Sequence, residues 1–174
     1  NLSANADVII VGARGRGGFM GRMLGSVSTA LPPHAHCPTI VVPRHSAHRG
    51  DTTGPVVVAV DGSEGARIAM FTAAEAAASR NADLEIVTVL PAGEEWLYWY
   101  PELELGGDVA DRRQQQIEAE LDKDAEELRS QFPGLQVSTS ALIGDATALL
   151  SAATKTAQLT VLGTRGRGAV KSAL

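Results

Sequence analysis

The stretch from Ala6 to Gly17, Ala-Asp-Val-Ile-Ile-Val-Gly-Ala-Arg-Gly-Arg-Gly, returns from Ala157 to Gly168 as Ala-Gln-Leu-Thr-Val-Leu-Gly-Thr-Arg-Gly-Arg-Gly. The offset is 151 residues, close to the length of one domain. Two copies of one apolar strand and one glycine-rich turn, a domain apart, imply tandem duplication of a single unit. That repeat limits the fold more than any other feature of the chain.

The segments around the copies predict where the units lie. After the first copy come a short helical run and a strand, Thr39 to Val42, closed by Pro43. A polar stretch follows, rich in His, Ser, Arg, Gly and Thr, and a new apolar strand starts at Pro55. Residues 1–45 therefore read as the later part of one domain, 46–54 as a linker, and 55–174 as a second domain without its last helix and strand. The chain does not begin with methionine, and together with these cut points this predicts an excerpt of a longer tandem protein.

Within 55–174, strand and helix patterns alternate. Val56 to Val60 is an unbroken apolar run, as expected of a strand covered on both faces. Asp61-Gly62-Ser63 turns it into an alanine-rich helix, Glu64 to Arg80, with Ser63 as N-cap. Leu84 to Leu90 is the second strand. Ile117, Leu121, Ala125 and Leu128 recur at helical spacing on a charged helix. Leu135 to Leu142 reads as a third strand, Ala146 to Ala153 as a helix, and Leu159 to Leu162 as a fourth strand. Strands separated by helices predict right-handed parallel crossovers. The expected fold is α/β: an open parallel five-stranded sheet with helices on both faces, Rossmann-like. Ligands of such sheets sit at the carboxyl ends of the strands.

Composition narrows the function classes. The chain is 44% hydrophobic and 20% charged, enough to build a core. A formal net charge of −5 argues against nucleic acid or an anionic membrane as the main partner. No apolar run approaches the roughly 20 residues of a membrane span. The single cysteine, Cys37, allows no internal disulfide and fits a reducing cytoplasm.

The first glycine turn carries the candidate chemistry. Gly12-x-x-Gly15 follows a strand directly, and nine residues later comes Gly25-Ser26. Glycines let main-chain amides turn inward and approach a ligand with no Cβ in the way, which is how an anion nest is built. The Ser26 hydroxyl and nearby amides are placed to meet phosphate oxygens, and Arg14 and Arg16 add positive charge. The spacing is neither a Walker loop nor the G-x-G-x-x-G dinucleotide pattern. Glycine-rich turns of this type also serve packing alone, and the bare spacing leaves both readings open.

The run Val11-Gly12-Ala13-Arg14-Gly15-Arg16-Gly17-Gly18-Phe19, continuing through Leu24-Gly25-Ser26-Val27-Ser28 to His34-Ala35-His36-Cys37-Pro38, resembles the end of a universal stress protein domain. In that family, G-2x-G-9x-G-S/T marks the ATP-binding branch. Val58-Ala59-Val60-Asp61-Gly62-Ser63 is similar to the family's opening strand and turn, and Gly144-Asp145-Ala146 to its turn before the third helix. The likeness spans nearly the whole chain in the family's order and implies its adenine nucleotide alpha hydrolase-like fold. It implies Asp61 in the adenine and ribose region and Val89 beside the base. It implies Gly163 and Gly166 along the ribose and phosphates, as Gly12 and Gly15 in the other domain, with Gly25 and Ser26 on the distal phosphates. Without the family, Asp61 reads as a turn aspartate beside an N-cap. The Gly-Ser pair of the second copy would fall beyond Leu174, and the first copy lacks the strand bearing its own aspartate.

The function expected is ATP binding, with magnesium, by a cytoplasmic regulatory module of stress or dormancy without dedicated catalytic machinery. Pairing as a homodimer or between tandem domains, and an unknown regulatory protein partner, come with it. A dimeric interaction protein of the same family that binds no nucleotide is the alternative, and an ATP-using α/β enzyme a third. Trp96, Tyr98, Trp99 and Tyr100 crowd into five residues and read equally as a lid or partner surface and as a self-anchoring loop. His34, His36 and Cys37 are spaced too tightly for a structural zinc site, and Cys37 reads as a small buried residue. The helix from Asp108 to Glu127 reads as a solvated acidic face.

Overall fold

The computed structural model describes residues 2–14, 24–43, 53–91 and 109–164, with the backbone alone at 109–111. Tertiary contacts divide the chain into two compact units, Asn1–Asp51 and Thr52–Leu174.

The first unit holds β1 (Ile9–Gly12), a short helix α1 (Ser26–Ala30) and β2 (Thr39–Val42), with 3-10 turns at Leu2–Asn5 and Pro32–His34. β1 and β2 pair in parallel, from Ile9 opposite Thr39 to Gly12 opposite Val42. The helix stops at Ala30 because the rings of Pro32 and Pro33 cannot continue its hydrogen-bond ladder. Cys37 is half-buried rather than buried, lying in the bend before β2 instead of under a helix.

The second unit runs β3 (Val56–Ala59), α2 (Glu64–Arg80), β4 (Leu84–Leu90), α3 (Val109–Gln131), β5 (Val137–Ile143), α4 (Ala146–Ala153) and β6 (Leu159–Leu162). Its four described strands form one parallel sheet in the order β5-β4-β3-β6. The doubly covered α/β sheet predicted from the alternation is therefore present, with β1 and β2 as a separate two-stranded sheet. β3 ends one residue before the apolar run does, although the Val60 amide still donates to the Val87 carbonyl at 2.9 Å. β5 starts at Val137 because Leu135 is held in a turn, its amide donating to the Phe132 carbonyl at 3.1 Å.

Side-chain alternation sorts the helices onto two faces. Val56, Val58, Leu84, Ile86 and Leu90 pack in one core with α2 and α3. α2 contributes Ala69, Met70, Ala73, Ala74 and Ala77, a stripe of small residues that lets the helix lie close to the sheet. α3 contributes Ile117, Leu121, Ala125 and Leu128, the four positions its periodicity marked. Val57 and Val87, buried as deeply, point to the opposite face, and Ala59 and Val89 share a cleft there with Ala146 and Leu150 of α4.

The ends of α2 are set by local chemistry. The Ser63 hydroxyl accepts from the Ala66 amide at 3.2 Å. At the other end Asn81 takes a left-handed conformation, φ 50°, and its amide donates to the Ala78 carbonyl at 3.2 Å. Asparagine tolerates that geometry better than any β-branched residue would.

Candidate functional site

The chain leaves β3 toward β4 on one side and returns on the other side as β6, so strand order reverses between β3 and β6. At such a switch point the connections diverge and leave a crevice at the carboxyl edge. A cleft of about 190 Å³ lies there, and Asp61, Val89 and Gly163 all line it, with Ala146 and Leu150 of α4 as one wall. The structure thus brings these three expected site residues together. Whole small-molecule pockets span roughly 300–1,000 Å³, so this cleft is sized for part of a ligand, such as a flat base.

Each of the three is held by its own element. Asp61 follows β3, and its Oδ1 accepts from the Ser63 amide at 3.0 Å, which folds the turn that leads into α2. Its role in the turn is therefore real whether or not it also meets a ligand. Val89 sits in the β4 ladder opposite Leu142 of β5. Gly163 follows β6 and lies against the first turn of α2. A Cβ there would meet the Gly65 carbonyl carbon at 3.1 Å, its oxygen at 3.2 Å and the Ala66 nitrogen at 3.3 Å. Gly166 lies outside the described residues.

The other expected residues belong to the first unit. Gly12 ends β1, and the next residue, Ala13, donates its amide to the Val42 carbonyl at 2.8 Å. The Gly25 amide donates to the Ala13 carbonyl at 2.7 Å, closing the loop between them on main-chain atoms. Ser26 is exposed at the start of α1, with no side-chain cap on that helix. Gly12, Gly25 and Ser26 thus belong to one strand-loop-helix segment pinned at the carboxyl end of β1; Gly15 lies outside the described residues. The Asp61 group and the Gly25 group sit in different units of the chain.

Two features escaped the sequence reading. The first is a second cleft at the carboxyl edge, about 300 Å³, between α2 and α3 and floored by Met70 and Leu121. The acidic helix is not wholly a solvated face there. Arg113 is buried, and Asp124 is pulled partly out of water, so burial, reinforced by nearby Glu127 and Glu120 and opposed by Arg67, raises its pKa. Arg67 Nη2 donates to both carboxylate oxygens of Glu127, at 2.8 and 2.9 Å, and the guanidinium lies 5.2 Å from the Phe71 ring centre. Arg113 stands four residues before Ile117 on the same stripe, which was the available signal. The second feature is Ser28, buried beneath the loop closure of the first unit. Nothing in Ser26-Val27-Ser28 distinguishes it from its exposed neighbours.

The aromatic cluster Trp96–Tyr100 lies outside the described residues. Among the described residues, no group of three or more His, Cys, Asp or Glu is placed to hold a metal ion, and no helix is long and apolar enough to cross a membrane.

Known proteins similar to this chain agree with one another. The model of the universal stress protein family matches residues 2–43 and 52–174. Universal stress protein Rv2623 of Mycobacterium tuberculosis is 30% identical over 169 residues, covering 97% of this chain and 54% of the relative. Universal stress protein MT2052, also of Mycobacterium tuberculosis, is 30% identical over 172 residues, covering 97% and 52%. The chain spans about half the length of these curated relatives. The crystal structure of a universal stress protein from Archaeoglobus fulgidus shares the fold, with a TM-score of 0.60 and 24% identity over 97% of this chain and 55% of that one.

Proposed function

The chain belongs to the universal stress protein family, and from that premise we propose that it is part of an ATP-binding module that responds to nucleotide and regulates a partner. The carrying observation is the closure of the glycine loop. The 2.7 Å bond from the Gly25 amide to the Ala13 carbonyl joins the two ends of the loop, and Ser26 beside it is exposed. Among the described residues, a Cβ added at Gly12 would make only an ordinary contact, 3.7 Å from the Arg14 carbonyl oxygen. In this reading the glycines let main-chain donors approach the oxygens of a polyphosphate with no Cβ in the way. Within the second unit, Asp61, Val89 and Gly163 line a cleft that in this reading takes a base and ribose.

Magnesium arrives on the phosphates in this reading, and among the described residues no group of three or more His, Cys, Asp or Glu is placed to hold it. In this reading the nucleotide-bound state is passed to a regulatory protein partner or to a paired domain, in a homodimer or a tandem, in the cytoplasm. No nucleophile with a general base is part of the proposal, so turnover is slow or absent.

A second reading, a dimeric interaction protein that binds no nucleotide, draws support from Gly163. Its contact with Gly65 accounts for a glycine at that position by packing alone. One experiment separates the readings. Nucleotide released from freshly purified full-length protein is identified by mass spectrometry, and emptied protein is titrated with ATP–magnesium. Retained ATP, or saturable binding, supports the proposal. Neither would transfer the argument to the interaction protein, and steady multiple turnover would transfer it to an enzyme.

A further inference from the structure

We propose that the outer edge of β5 is a docking strand for an extended basic segment of a partner protein, a role that does not depend on nucleotide binding. β5 pairs only with β4 among the described residues, so one side of its backbone faces outward. The neighbouring bonds fix which side. The Gln136 carbonyl accepts from the Leu84 amide at 2.9 Å, and the Gly144 amide donates to the Leu90 carbonyl at 2.8 Å. Alternation along the strand therefore turns Ser138, Ser140 and Leu142 toward β4 with them, and the main-chain groups of Val137, Thr139, Ala141 and Ile143 away from it. The Val137 carbonyl is closed by Arg129, whose Nη2 donates to it at 2.6 Å. Past that cap, the amides and carbonyls of Thr139, Ala141 and Ile143 have no partner among the described residues.

Nothing in the strand itself blunts that edge. Val-Ser-Thr-Ser-Ala-Leu-Ile contains no charge, proline or glycine, and an uncharged edge of this kind readily takes on a further strand. Its last two side chains are on offer as well, Leu142 at 37% and Ile143 at 55% exposure. The charge beside the edge selects the partner. Asp122 of α3 reaches the strand, accepting from the Thr139 hydroxyl at 3.1 Å. Glu118 and Glu126 stand one helical turn to either side of Asp122, and all three are exposed. An added strand bearing lysine or arginine would run beside this row of carboxylates. A second copy of the chain fits poorly for the same reason. Two β5 edges paired about a twofold axis would set their acidic rows against each other.

The test uses the full-length protein and a peptide as long as β5, seven residues of alternating lysine and valine, with a glutamate–valine peptide as its counterpart. Hydrogen exchange reads the edge directly and needs no variant. In the protein alone the Thr139, Ala141 and Ile143 amides should exchange rapidly, while those of Ser138, Ser140 and Leu142 are protected by β4. Saturating lysine peptide should slow the first set about tenfold or more, and the glutamate peptide should bind about tenfold more weakly. Slow exchange of the first set without peptide overturns the proposal, because the edge is then already covered, by another part of the protein or by a second copy. Equal binding of the two peptides, or protection that appears elsewhere, overturns it as well. The double variant Glu118→Lys with Asp122→Lys should weaken the lysine peptide about tenfold, and undiminished binding overturns the choice of a basic partner. None of these failures touches the nucleotide reading, which ATP–magnesium titration tests separately.

Discussion

β1 and β6 are copies of one another, yet each has the neighbour the other lacks. β1 pairs with β2 on the side of the glycine loop's return, and β6 pairs with β3, which carries Asp61. The glycines that end the two strands differ accordingly. Both are exposed, but among the described residues a Cβ on Gly12 would meet only the Arg14 carbonyl oxygen at 3.7 Å, whereas one on Gly163 would meet the backbone of α2 at 3.1 Å. The same residues thus do different work. In the second unit the glycine admits a helix, and in the first no described neighbour requires one. Burial shows the same division. Val56, Val58, Leu84, Ile86 and Leu128 are almost wholly buried, whereas Ile10, Val27 and Val42 of the first unit stay exposed. An identical local pattern makes a strand in both places, and only a covering layer of helices makes a core.

Four substitutions bear on that contrast. The largest difference is expected in the core. Leu128→Ala removes a fully buried side chain and should lower the stability of the second unit by about 2–5 kcal/mol, whereas Ile10→Ala, at an exposed site, should stay within about 0.5 kcal/mol by chemical denaturation. Comparable losses would mean that Ile10 is covered in the intact protein. Next come the two glycines. Gly163→Ala places a methyl against main-chain atoms that cannot swing aside, and should cost about 1–3 kcal/mol in a thermal melt. Gly12→Ala has only a 3.7 Å neighbour and should leave the melt nearly unchanged. Equal melting shifts would erase the distinction between the copies.

The smallest effect tests the cost of having a helical layer. α3 draws Asp124 partly out of water beside Glu127 and Glu120, and its pKa rises above the ordinary value of 3.8 despite Arg67. A raised folded-state value means the folded protein holds the proton more tightly than the unfolded chain. The contribution of Asp124 to stability is then fullest below 3.8 and fades as the pH climbs through the raised value. Asp124→Asn should therefore flatten this part of the stability–pH profile and change stability at neutral pH by no more than about 0.5 kcal/mol. A profile that steepens instead would show that the Arg67 contact outweighs burial.

Much of the architecture was legible before any coordinates. The N-cap at Ser63, the span of α2, the stripe from Ile117 to Leu128 and the strand at Thr39–Val42 all follow from local rules: capping chemistry, helical period and apolar runs. The polar side chains at the α2–α3 cleft were not legible. Charge on a helix ordinarily means solvent; the place of Arg113 on the stripe of Ile117 was the one local hint of its burial, and nothing local told that Asp124 would face Arg67. Of the expected site residues, Asp61, Val89 and Gly163 do converge on one cleft, although residues from three separate strands can be joined there only by strand order.

By itself, then, the sequence determined the repeat, the alternation of strand and helix, and the glycine-serine spacing, because each is written within a few turns or strands of chain. The tertiary structure alone decided which face of the sheet each helix covers, which copy of the glycine turn is packed against a helix, and that Ser28 bridges the ends of a loop. Those outcomes depend on distances between residues far apart along the backbone. A hydroxyl shared between the Ala13 and Gly25 carbonyls exists only once the chain has folded back to bring them within 3.0 Å of it.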